Sequence, residues 1–138
     1  MLKKVILLYN VESPSYKKAL EDFCEGKEIN LRYVTVDEYD VPLGFLAYGK
    51  EEDRAEYIRK EKGREFKDPM MVFSGFAGDS LFTLLKELRA EGIGTTDLKA
   101  MMTEHNAVWD SLALRDELHK EHQYMKEMAA KARSEHQG

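Results

Sequence analysis

Three residues at the ends of predicted strands carry the chemistry that this sequence offers most directly. His105 is the one histidine at such a position, where an imidazole can give or take a proton near neutral pH. Ser74 ends another strand and Asn10 a third. Together they suggest a small hydrolase or transferase, provided the sheet sets His105 and Ser74 within hydrogen-bond reach. No motif pairs a serine or cysteine nucleophile with this histidine. The leading expectation is therefore a ligand site without catalysis, formed by Ser74, Gly75, Gly78, Thr103 and Asn106.

Each of these residues also has a purely structural reading. Two glycines in Ser74-Gly75-Phe76-Ala77-Gly78 suit a tight strand-to-helix turn. The turn lacks the Gly-Lys-Ser/Thr of a Walker loop and the GxGxxG fingerprint, and Asp79 puts negative charge where a phosphate would sit. Thr103 or Asn106 could cap the last helix, with Trp109 buried beneath it. His119 and His122 share a helical face, but their spacing is not that of HExxH, and on so charged a helix they read as solvated. Cys24, the only cysteine, falls on an apolar helical face and reads as core. No metal and no cofactor is expected.

The elements that must position these residues follow from hydrophobic periodicity. Val5-Ile6-Leu7-Leu8 and Met70-Met71-Val72-Phe73 are unbroken apolar runs, as in strands covered on both faces. Segments 29–36 and 98–102 alternate and read as edge strands. Ser13-Pro14 opens a helix that Gly26 closes, and Leu81, Leu84, Leu85 and Leu88 keep helical spacing up to Gly92. Two such βα units predict a single α/β domain over residues 1–138, with one open sheet of about four strands in the order 2-1-3-4. It is flavodoxin-like if segment 50–68 is a crossover helix and all strands are parallel. The alternative is a ferredoxin-like α+β arrangement. Segment 50–68 holds seven basic and seven acidic residues, and a solvated helix near 52–62 is expected there.

From about Ala107 a helix runs on without glycine or proline to Gly138. Leu114, Leu118, Met125, Met128 and Ala132 make an apolar stripe, broken at Glu121, while residues 124–138 form a polar tail. At ~1.5 Å per residue this helix is longer than one small domain can cover, which predicts a homodimer through it. Length, 43% apolar and 34% charged residues describe an ordinary globular chain. A net charge of −5 argues against nucleic acid as a partner, and no apolar run approaches the ~20 residues that cross a bilayer. One cysteine and the absence of a signal-like start point to the cytoplasm.

Met71-Val72-Phe73-Ser74-Gly75-Phe76, the leucine-rich helix to Leu88, Leu98-Lys99-Ala100 and Thr103 with Asn106 and Trp109 form a further pattern. Over roughly residues 69–122 it resembles the bacterial domain of unknown function 3783 family. That resemblance implies no activity, substrate or cofactor. The reading at this level is a small cytoplasmic α/β module that binds a protein partner or a small ligand.

Overall fold

The structure, a computed structural model, describes residues 3–137, with side chains to 134. The ends of the expected domain at residues 1, 2 and 138 lie outside the described residues. The elements are β1 (Val5–Tyr9), α1 (Pro14–Gly26), β2 (Asn30–Tyr33), a 3-10 turn at Val36–Glu38, α2 (Leu43–Tyr48) and α3 (Glu51–Ala55). Then come β3 (Met70–Ser74), α4 (Gly78–Ala90), β4 (Leu98–Met101) and α5 (Ser111–Gln137). The four strands form one open sheet in the order β2-β1-β3-β4. The apolar runs β1 and β3 are central and wholly buried, as strands covered on both faces must be.

β1 pairs parallel to β2, and β3 parallel to β4, each through its own helix. The central pair is antiparallel, with Val5 opposite Ser74 and Tyr9 opposite Met70. The all-parallel flavodoxin-like form is thus replaced by a mixed sheet, and the strand order excludes the ferredoxin-like one. The cause lies in segment 34–69. β2 ends opposite Leu8 and β3 begins opposite Tyr9, so this connection starts and finishes at one edge of the sheet. Its outward leg buries Tyr39, Val41, Leu43 and Leu46 and reaches Tyr48, whose hydroxyl donates to the carbonyl of Lys3 at 2.7 Å. The return leg ends with Phe66 stacked on Tyr39, ring centroids 4.6 Å apart. Two traverses instead of one reverse the direction of β3.

The charged segment is therefore no crossover helix. Helix α3 stops at Ala55, well short of the expected residue 62. Beyond it Arg59 turns inward and pairs with both carboxylate oxygens of Asp40, at 2.7 and 3.0 Å, with its side chain 6% exposed. A two-point pair to a buried guanidinium outweighs the few tenths of a kcal/mol that Glu56 and Lys60 at i,i+4 would add to a longer helix.

Helices α1 and α4 cover one face of the sheet, burying Leu20, Phe23, Cys24, Leu84 and Leu88 against Ile6, Leu8, Met71 and Phe73. Ser13 caps α1 through the Tyr16 amide, with Pro14 at the first helical position. The left-handed residue after α1 is Glu28 (φ 57°), not Gly26. The connection and the start of α5 cover the other face, over Val5, Leu7, Tyr9, Met70 and Val72. Helix α5 begins at Ser111, later than expected, and its cap is Asp110, which accepts from the Ala113 amide at 2.8 Å. Thr103 and Asn106 cap a separate turn before it. Leu114 is buried on the sheet, but every described residue from Gln123 to Ser134 is exposed.

Candidate functional site

Because β1 and β3 run in opposite directions, their carboxyl ends lie at opposite edges of the sheet. The residues expected to converge are divided accordingly. Asn10 stands at one edge; Ser74, Gly75 and Thr103 stand at the other, where β3 and β4 both end. A cleft of about 470 Å³ opens there, lined by Ser74, Gly75, Phe76, Met102, Thr103 and Glu104 from the sheet side. Gly44, Tyr48 and Ala107 close it from α2 and the turn before α5.

Ser74 is 3% exposed, and its oxygen lies 2.8 Å from the Tyr48 hydroxyl. Tyr48 has one proton and gives it to the Lys3 carbonyl, so Ser74 donates to Tyr48. The serine proton thus has as acceptors a phenol and, at 3.6 Å, the Met102 sulfur, and neither is a good base. Among the described residues no hydrogen bond joins Ser74 to His105. The imidazole is exposed and sits edge-on to Trp109 at 5.2 Å between centroids, outside the lining of the cleft. Trp109 itself is half-buried, less than expected, because it belongs to the turn before α5 and keeps one side open.

The other candidates hold backbone. Gly75 has φ +85°, and a Cβ there would meet the Lys3 carbonyl oxygen at 2.3 Å, so this glycine lets the turn press on the start of β1. Gly78 opens α4 with open space around it and lies outside the cleft. Asn106 accepts from the Thr103 amide at 2.8 Å and donates to the Met101 carbonyl at 3.2 Å, while the Thr103 hydroxyl accepts from the Asn106 amide. The two side chains close a turn on each other.

Asn10, in the left-handed region at φ 57°, donates to the carbonyls of Phe66 (3.0 Å) and Asp68 (3.1 Å) and to the Tyr39 hydroxyl. It fastens the returning connection to the end of β1. Nearby, Tyr9 donates to or accepts from Ser111 at 2.7 Å, and burial raises its phenol well above the usual tyrosine range. Burial also pushes the Cys24 thiol up to about 11. No group of three or more His, Cys, Asp or Glu among the described residues is placed to hold a metal ion.

Sequence reasoning missed the aromatic side of this edge. A second hollow of about 650 Å³ adjoins the first and is walled by Phe45, Tyr57 and Val108, with Gly44, Tyr48 and Ala107 common to both. The available signal was Phe45 and Tyr48 at i,i+3 between Pro42 and Gly49.

No curated protein and no solved structure matches the chain. The family comparison covers β3, α4, β4 and the start of α5, and so includes Ser74, Gly75 and Thr103 but not Gly44 or Tyr48. Residues 69–125 match the family described as Domain of unknown function (DUF3783).

Proposed function

We propose that the protein is a non-catalytic binding module of the cytoplasm that docks on protein surfaces, and that it self-associates through the outer half of α5. The observation that carries this reading is the departure of α5 from its own domain. Tyr124, Met125 and Met128 are 61%, 65% and 46% exposed, on a stretch of helix that no described residue covers. Large apolar side chains grouped in this way are uncommon without a partner. Burying these three from each of two chains is worth roughly 10–15 kcal/mol gross. Association costs about 4–15 kcal/mol, so at the middle of both ranges the surplus is about 3 kcal/mol and these side chains alone support a weak dimer.

Against the hydrolase or transferase reading stands Ser74, held by Tyr48 with no base beside it. A small ligand in the 470 Å³ cleft is the second reading, favoured by the open lining of Thr103, Glu104 and Met102. The assignment to a reducing compartment is supported by the single, buried cysteine. No described helix is long and apolar enough to cross a membrane. Amide hydrogen exchange tests the docking reading. Residues 123–134 should exchange fast in dilute protein and become protected as concentration rises. Equal exchange at every concentration contradicts it.

A further inference from the structure

Two partly exposed apolar surfaces lie on this protein, and they complement each other. One is the outer half of α5, where Tyr124, Met125 and Met128 share residues 123–134 with three basic side chains and a single acidic one, Glu127. The other is the double cleft at the ends of β3 and β4. Its aromatic wall is unusually open: Phe45, Tyr48 and Tyr57 are each more than a third exposed, and Val108 is 76% exposed. Asp53 and Glu104 line the two hollows, no described lysine or arginine does, and α3 adds two more carboxylates, Glu51 and Glu52, beside Asp53.

We propose that the outer half of α5 of one chain docks in the acidic, aromatic cleft of a second copy. This rests on the self-association reading above and names the surface that receives the helix. An amphipathic helix laid in an apolar groove is a common mode of recognition, read as anchors at i, i+3 and i+4. Tyr124, Met125 and Met128 supply those anchors. Methionine adapts to irregular walls and makes favourable sulfur–aromatic contacts, which Phe45 and Tyr57 offer. Lys126 and Lys131 then meet the carboxylates of the rim.

The geometry points to a second copy and away from the helix's own cleft. Arg115 on α5 pairs with Asp68, two residues before β3 begins, whereas the cleft lies where β3 ends. The packed start of the helix thus lies at the edge opposite its own cleft. Each chain offers one helix and one cleft at different edges, so the pair closes only if both face the same neighbour, as in a two-fold dimer, while one-way insertion would run on into a filament.

A charge swap tests the pairing in the full-length chain. The helix variant is Lys126→Glu with Lys131→Glu; the cleft variant is Glu104→Lys with Val108→Lys, both at exposed positions. Sedimentation velocity is followed over a concentration series, with circular dichroism to verify folding. Each variant alone should self-associate at least tenfold more weakly than the parent, and an equimolar mixture should recover the dimer. If the cleft variant does not fold, Val108→Lys alone carries the same test. A helix variant that dissociates beside a cleft variant that dimerises normally overturns the cleft pairing, leaving the role of α5 intact. Two monomeric variants that stay apart on mixing overturn it as well. A dimer that survives both changes overturns this inference, and a parent chain monomeric throughout overturns it and the self-association reading together.

Discussion

Replacing Asn10 separates a structural clamp from a catalytic group. The side chain gives its two N–H bonds to three acceptors, the carbonyls of Phe66 and Asp68 and the hydroxyl of Tyr39. In Asn10→Ala those half-buried acceptors lose their donor, at roughly 1–1.5 kcal/mol for each of two bonds. The backbone at φ 57° adds about 1 kcal/mol, because alanine tolerates the left-handed region less well than asparagine. The total is about 3–4 kcal/mol. Asn10→Gly removes the same bonds but relieves the backbone, so it should cost about 1 kcal/mol less. Urea unfolding of the two variants, followed by far-UV circular dichroism, measures both the loss and the difference. A loss below about 1 kcal/mol in Asn10→Ala would refute the clamp, and equal losses in the two variants would refute the backbone share.

Four further outcomes follow from the packing. Phe66→Ala should cost about 3–5 kcal/mol by thermal or urea unfolding, since the ring is 6% exposed and stacked on Tyr39. Limited trypsin digestion should cut first at Lys60, Lys62 or Arg64, in the exposed stretch between the anchors Arg59 and Phe66; a first cut within α4 contradicts this. Gly75→Ala should destabilise strongly, by more than about 2 kcal/mol, because φ is positive and a Cβ would strike the Lys3 carbonyl. Burial raises the Cys24 thiol from its ordinary value near 9 to about 11, so the folded chain holds that proton more tightly than the unfolded one. This contribution is complete below pH 9 and is lost as pH rises toward 11, and Cys24→Ala should flatten that part of the stability profile.

Strand order and core were legible because β1 and β3 are unbroken apolar runs, which only central strands can bury. Strand direction was not legible. It depends on how often segment 34–69 traverses the sheet, and that is decided by contacts distant in sequence: Tyr48 with Lys3, Arg59 with Asp40 and Phe66 with Tyr39. The candidate site shared this dependence. Ser74, Gly75 and Thr103 were gathered correctly at one edge because β3 and β4 are parallel neighbours. Asn10 was placed with them only on the premise that β1 was parallel too. The capping role of Thr103 and Asn106 was visible as residue type, but the start of α5 was set by Asp110, whose carboxylate reaches the Ala113 amide.

The central claim is that α5 joins two copies of this chain. Sedimentation equilibrium of the full chain and of a chain ending at His122 tests it most directly. No described residue beyond His122 packs on the domain, so the shortened chain should keep its fold and its unfolding midpoint. The full chain should approach the mass of two copies at high micromolar concentration, and the shortened chain should hold the mass of one. Single-copy mass for both, or two-copy mass for both, contradicts it.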